Sequence, residues 1–141
     1  RFPDQMGVFI GYDEDRAHRI EAGCDSFLMP SHFEPCGLNQ IYSLRYGTVP
    51  IVHKTGGLAD TVLDATPERI VSGDATGFCF EQGNADALWG QIRRALQMYR
   101  ERQDQWRTLA MNGMGKDFSW RVSARRYERL YAEALNDPLL G

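Results

Sequence analysis

Apolar residues along the chain alternate between short β-rich runs and longer stretches with helical spacing. The β-rich runs predict strands at residues 7–12, 26–29, 50–53 and 77–80. Helical spacing predicts helices at residues 15–22, 38–46, 84–99, from about 104, and at 120–135. Asn84 or Asp86 can cap the third helix and Ser119 the last, because their side-chain oxygens accept backbone N–H groups. The short polar segment 64–74 predicts a loop.

Strands that alternate with helices of this length favour parallel pairing through right-handed crossovers. The predicted fold class is therefore α/β, a doubly wound, Rossmann-like parallel sheet with helices on both faces. A complete nucleotide-binding domain of this type has about six strands, and the pattern here gives fewer. We therefore expect residues 1–141 to form one domain, incomplete at its N-terminus, which ends in C-terminal helices at 84–135. We expect Trp106, Phe118, Trp120 and Tyr127 to lie in the core beneath these helices.

The composition is that of one soluble globular domain, with 141 residues, 43% hydrophobic and 25% charged, and a net charge of -3. No apolar run reaches the roughly 18 residues that a membrane helix needs, which argues against a membrane partner. Arginines of the C-terminal half alternate with the apolar stripe of a predicted helix. They are typical of a solvated helix face, so we expect no nucleic-acid partner.

Cysteine and histidine spacing limits the redox and metal chemistry that the chain can support. The three cysteines, Cys24, Cys36 and Cys79, form no CxxC motif, which is typical of reduced thiols in a cytosol-like compartment. The three histidines do not have the spacing of metal ligands. We therefore expect no metal and no other cofactor.

Loops 12–15, 30–37 and 54–57 each follow a predicted strand, at the edge where open parallel sheets bind ligands. In the second loop, Gly37 lets backbone amides approach a ligand, and the following helix N-terminus suits phosphate and hydroxyl groups. Glu34 can offer a carboxylate to sugar hydroxyls or to a cationic reaction centre, or it can simply favour the helix dipole. Cys36 belongs to no CxxC motif, which favours a lining residue over a nucleophile.

The other two loops add residue types that suit a nucleotide. Thr55, Gly56 and Gly57 supply a hydroxyl and two unhindered amides for a pyrophosphate, although a Gly-Gly pair is also typical of a plain tight turn. Tyr12 is suited equally to stacking on a base and to packing as an aromatic at the rim. The convergence of the three loops predicts a site for a sugar nucleotide.

Three stretches of the chain resemble a known family: PSHFEPCGLNQ at residues 30–40, YGTVP at 46–50 and KTGGLADTV at 54–62. The similarity runs from about residue 11 to 62, and DFSW at 117–120 resembles the same family's C-terminal end. These long motifs resemble the C-terminal domain of bacterial glycogen synthases and plant-type starch synthases. The resemblance implies two Rossmann-like domains that face a cleft. It also implies transfer of glucose from ADP-glucose to the non-reducing end of an α-1,4-glucan, with retention, in the cytoplasm or in a plant plastid.

The resemblance also implies roles for individual residues. Glu34 matches the family's glutamate beside the transferred glucose, and Tyr12 would stack on adenine. Tyr42 stands where related retaining transferases carry a second glutamate, which favours the synthases over those relatives. The remaining matches surround the sugar and the diphosphate: Cys36, Gly37, Leu38, Asn39, Thr55, Gly56 and Gly57.

The resemblance does not cover everything that a synthase needs. An Arg and Lys pair that neutralises the leaving diphosphate, and an N-terminal domain with an acceptor groove, have no counterpart in the sequence. We therefore expect the chain alone not to transfer glucose and to need that second domain as a partner. Two alternatives stay open: a standalone module that binds nucleotide or glucan, and a related transferase that uses UDP-glucose.

Overall fold

The computed structural model describes residues 2–135. Along this part of the chain the elements are, in order, α1 (Glu14–Gly23), β1 (Ser26–Met29), α2 (Asn39–Tyr46), β2 (Val49–His53), α3 (Gly56–Thr61), α4 (Pro67–Ser72), β3 (Phe78–Phe80), α5 (Ala85–Glu101), α6 (Gln103–Met114) and α7 (Trp120–Leu135). Within residues 2–135, no helix combines the length and the apolar character needed to cross a membrane.

The three strands form one parallel sheet in the order β1, β2, β3. Met29 of β1 lies opposite Val52 of β2, and His53 of β2 lies opposite Phe80 of β3. Parallel strands joined by helices bring all the strand C-termini to one edge of the sheet. The predicted α/β fold with parallel pairing is confirmed, and this edge carries the candidate site.

Successive residues of β2 face opposite sides of the sheet, and each side has its own apolar cluster. The large cluster packs α5 and α6 on one face; its buried members are Val49, Ile51, Ala65, Ala75, Phe78, Ala95, Met98, Trp106 and Leu109. The small cluster packs α3 on the other face; its buried members are Met29, Val52, Leu58 and Val62. Helices therefore cover both faces, as the sequence predicted.

Two predicted segments differ from the structure. Residues 7–12 form no strand, and Ile10 is 93% exposed. A β-rich run needs a neighbouring strand to take its backbone hydrogen bonds, and none among the described residues lies beside it. The predicted loop at 64–74 contains α4, where Thr66 accepts the N–H of Arg69 and Pro67 opens the first turn.

The aromatic residues expected in the core divide into two groups. Trp106 is buried in the large cluster, as predicted. Phe118, Trp120 and Tyr127 are exposed, so their placement in the core was wrong. Trp120, which is 86% exposed, and Tyr127 lie on α7, which contributes no buried side chain. Its apolar stripe has helical spacing, but the described residues offer no surface that covers it.

Candidate functional site

Tyr12 is held at the rim of a cleft by the start of α1. Asp13 is the N-cap residue, and its carboxylate accepts the N–H of Arg16 at 3.0 Å, which fixes where the helix begins. Tyr12, directly before the cap, is 92% exposed. The cleft has a volume of about 410 Å³ and is lined by Tyr12 together with Leu38 and Asn39 at the start of α2. The structure therefore brings three of the predicted site residues together.

The far end of this cleft holds a buried acid. Glu21 lines the cleft with His18, and its side chain is only 2% exposed. Within residues 2–135, its Oε2 atom has no hydrogen-bond partner. Burial raises the pKa of the Glu21 carboxyl, and the charge of His18 offsets part of that rise. The cleft thus has an aromatic rim and a carboxyl group that is costly to ionise.

The β1–α2 loop, residues 30–38, packs directly against the first turn of α3. The N–H of Gly57 donates to the carbonyl of Glu34 at 3.0 Å. A Cβ atom on Gly56 would lie 2.0 Å from the Glu34 carbonyl oxygen, and one on Gly57 would lie 2.0 Å from that of Cys36. Only glycine allows this approach. The sequence predicted two unhindered amides here, but that of Gly57 is engaged by the loop.

The Glu34 side chain is half-buried in the same loop and accepts a hydrogen bond from the Ser31 hydroxyl at 3.4 Å. The Cys36 side chain nearby is exposed. His53, the last residue of β2, lies with Nδ1 2.7 Å from the Ser31 carbonyl oxygen. His53 was not among the residues predicted for the site. Its position at the end of a buried strand was the signal that places it at the carboxyl edge of the sheet.

Gln40 and Thr61 also join the two loops, and neither was among the predicted site residues. Gln40 is fully buried, and its Nε2 lies 3.0 Å from the Cys36 carbonyl oxygen and 3.1 Å from that of Gly37. The same Nε2 lies 3.2 Å from Thr61 Oγ1, which donates to the Gly57 carbonyl at 2.6 Å. The signal in the sequence was the spacing of Gln40, which stands three positions before Ser43 and four before Leu44. Residues at this spacing lie on one face of a helix, and Ser43 and Leu44 are buried.

The electrostatics of this edge favour an anion. α2 and α3 begin without a side-chain hydrogen bond at their N-caps, Leu38 and Thr55, whereas α1 is capped by Asp13. Uncapped helix N-termini carry partial positive charge that suits phosphate oxygens. At the rim, Lys54 Nζ lies 2.9 Å from Glu81 Oε1, and this hydrogen bond raises the pKa of the lysine and lowers that of the acid.

The predicted residues thus fall into two adjacent groups. Tyr12, Leu38 and Asn39 line the cleft, and that lining does not include the loop residues Glu34 and Cys36 or the α3 turn. The second group is the contact of the β1–α2 loop with the first turn of α3; it comprises Glu34, Cys36, Gly37, Thr55, Gly56 and Gly57. Among the described residues, no group of three His, Cys, Asp or Glu side chains is placed to hold a metal ion.

Comparison with known proteins places this chain in a family. Residues 4–111 match the sequence profile of the family described as glycosyl transferases group 1. The chain belongs to the group 1 glycosyl transferases. This glycosyl transferase chain is 62% identical over 133 residues to glycogen synthase 1 of Methylococcus capsulatus, covering 94% of the chain and 27% of that protein. It is 52% identical over 136 residues to glycogen synthase 2 of Nitrosococcus oceani, covering 96% of the chain and 28% of that protein.

A solved structure supports both the fold and the family. The glycosyl transferase chain resembles the catalytic domain of starch synthase IV from Arabidopsis thaliana, determined with ADP and acarbose bound. The TM-score is 0.79 at 40% identity, and the match covers 88% of this chain and 25% of the plant chain. The predicted resemblance to glycogen and starch synthases is confirmed. The chain spans about a quarter of the length of the curated relatives.

Proposed function

We propose that this chain is the donor-binding domain of a glycogen or starch synthase that transfers glucose from ADP-glucose to the non-reducing end of an α-1,4-glucan with retention. The observation that carries the proposal is that one loop joins the two groups of predicted site residues. The β1–α2 loop runs from Glu34, against the start of α3, to Leu38 and Asn39 in the cleft beside Tyr12. The names of the relatives and the ADP bound to the plant enzyme support this reading.

In this proposal the cleft holds the nucleotide. Tyr12 offers an exposed ring to the adenine base, and stacking of this kind contributes roughly 1–3 kcal/mol per base. Leu38 lines the cleft beside the base. Asn39, the first residue of α2, lies where the uncapped N-terminus favours a phosphate.

The contact of the β1–α2 loop with α3 holds the sugar and the diphosphate. Glu34 assists the transferred glucose, while Cys36 and Gly37 line its pocket. Thr55 and Gly56, at the uncapped start of α3, face the diphosphate. The departing ADP carries the developing negative charge, so fixed dipoles and cations aimed at it supply the larger part of catalysis. Gly57 contributes through packing, since its amide already donates to the loop.

Transfer needs more than this domain. We assign the acceptor groove and the cations that neutralise the diphosphate to a second Rossmann-like domain, as the resemblance implies, and we expect the chain alone to bind ADP without transferring glucose. The proposal requires no metal or other cofactor. The cytoplasm, or the plastid in a plant, is the compartment that fits a glucan synthase with reduced cysteines.

Two measurements test the proposal. Titration calorimetry of the 141-residue chain should give tighter binding of ADP than of UDP. A hybrid enzyme, in which this chain replaces the matching segment of the Methylococcus capsulatus glycogen synthase 1, should extend a glucan from ADP-glucose. The parent enzyme is the control for folding and activity. A folded hybrid that prefers UDP-glucose would favour the related transferase, and a folded hybrid without any transfer would contradict the proposed function.

A further inference from the structure

Gln40 lies between the β1–α2 loop and α3, the two segments whose contact forms the second half of the site. Its carboxamide carries two N–H groups, and these face three acceptors: the carbonyls of Cys36 and Gly37 and the hydroxyl of Thr61. The hydroxyl of Thr61 in turn donates to the Gly57 carbonyl. The bonds therefore run in one direction, from the α2 amide through the α3 hydroxyl to the first turn of α3.

The same side chain also packs against Gly37. This glycine has a φ of +70°, a region that residues with a Cβ rarely adopt. The space where a Cβ would stand is filled, because it would lie 2.4 Å from Gln40 Oε1. Gln40 therefore fixes the β1–α2 loop twice, by bonding its carbonyls and by occupying the space beside its turn.

A buried amide in this position carries a cost that packing alone does not explain. The Gln40 side chain is 0% exposed, and within residues 2–135 its Oε1 has no hydrogen-bond partner. An apolar side chain of equal volume would avoid that cost. What glutamine supplies in exchange is the amide donor that binds the carbonyls of Cys36 and Gly37 and joins them to Thr61 of α3.

We propose that Gln40 and Thr61 form a clamp that presets the β1–α2 loop for the sugar nucleotide before it binds. This inference rests on the proposed function of the site. Gln40 is a positioning residue, since it acts through the backbone of Cys36, Gly37 and Gly57. If the loop is already ordered in the free protein, a variant without the clamp must use part of the binding energy of the sugar nucleotide to order it. Loss of the clamp therefore raises KM more than it lowers kcat.

The test compares variants that remove the clamp with variants that spare it. Gln40→Met keeps the volume and removes the donors, and Thr61→Val removes the hydroxyl. Thr61→Ser retains the hydroxyl and should rescue. Ser43→Ala is the matched control, because Ser43 is also fully buried on α2, and its hydroxyl has no partner within the described residues.

In the hybrid enzyme, Gln40→Met and Thr61→Val should each raise the KM for ADP-glucose about tenfold, the effect of roughly one hydrogen bond, with kcat lowered less than about threefold. The double variant should raise KM no further than the worse single variant, because the two residues form one chain of bonds. Thr61→Ser and Ser43→Ala should stay within about twofold of the unsubstituted hybrid. Three results would overturn the clamp. They are a KM of Gln40→Met within about twofold of the unsubstituted hybrid, a KM of Ser43→Ala that rises as much as that of Gln40→Met, and a double variant whose KM rises by the product of the two single effects.

A second readout separates the clamp from the proposed function. In the 141-residue chain, Gln40→Met should speed hydrogen exchange of the Gly57 amide about tenfold relative to the Val52 amide in β2, and Ser43→Ala should not. An unsubstituted hybrid that fails to use ADP-glucose would refute the proposed function. The exchange measurement would still test the clamp independently. An unchanged exchange rate of the Gly57 amide in Gln40→Met would refute the clamp.

Discussion

A methyl group added at Gly57 should force the β1–α2 loop away from α3. The new Cβ would lie 2.0 Å from the Cys36 carbonyl oxygen, 2.6 Å from its carbon and 2.7 Å from the Cys36 Cα. These atoms all belong to the backbone, so no side-chain rotation relieves the contact. A Cβ essentially never approaches within 3.0 Å of another heavy atom, so the two segments must separate by about 1 Å. Gly57 is not among the glycines with positive φ, so the destabilisation is steric, and it is opposed only by the helix propensity that alanine gains in α3.

The expected cost of Gly57→Ala follows from two contributions. Overpacking in a tightly packed site costs typically 1–3 kcal/mol. Separation of the segments also breaks the hydrogen bond from Gly57 to Glu34, which contributes about 1 kcal/mol. A loss of about 3 kcal/mol would lower the Tm of a chain of this size by roughly 10 °C.

Thermal unfolding followed by circular dichroism measures the loss of stability, and titration with ADP measures the effect on nucleotide affinity. Gly90→Ala is the control: Gly90 lies inside α5, and a Cβ there meets nothing within 4 Å. Alanine is the better helix former by about 1 kcal/mol, so this variant should raise the Tm by a few degrees. A Gly57→Ala chain with an unchanged Tm and unchanged ADP affinity would refute the packing argument, whatever the control does.

Three further changes test the site residue by residue. Tyr12→Ala should weaken ADP binding of the chain about tenfold by removing the stacking face, and Tyr12→Phe should not; equal affinities would remove Tyr12 from the base site. In the hybrid enzyme, Glu34→Ala should lower kcat about 100-fold while ADP affinity changes little, and equal losses in both would contradict its role beside the sugar. Glu21→Gln should raise the free energy of unfolding at pH 7, because burial raises the pKa of Glu21 and its charged form destabilises the fold. That gain should shrink as the pH falls through the raised native pKa and disappear below the usual carboxyl value of about 4.5, where the glutamic acid is protonated in both states; a gain independent of pH in urea unfolding would exclude this cause.

The sheet and its ligand edge could be predicted because both depend on local signals. Alternation and helical spacing located β1, β2 and β3, and Asn84 does cap α5 by accepting the N–H of Ala87 at 2.9 Å. The rule for the carboxyl ends of parallel strands then grouped the loop of Glu34 with the glycines of α3, whereas the strand expected before Tyr12 is not formed.

What the sequence did not reveal depends on distant parts of the chain. Residues 7–12 have the composition of a strand, but composition does not supply the neighbour that a strand requires. The exposure of Trp120 likewise reflects the absence of a covering surface among the described residues. Gln40 reads as an ordinary polar residue of a helix until the fold brings Thr61, twenty-one positions away, to its amide.

The apolar clusters on the two faces of the sheet differ in size, and this difference affects the order in which the molecule unfolds. Nine buried residues form the cluster beneath α5 and α6, whereas four form the one that holds α3 and the loops of the candidate site. With less apolar area to expose, the α3 face should detach in partial openings that leave the other face intact. Between α1 and α6, a protease should therefore cut first between residues 30 and 62, and an occupied site should delay that cut without altering the cooperative melting of the rest.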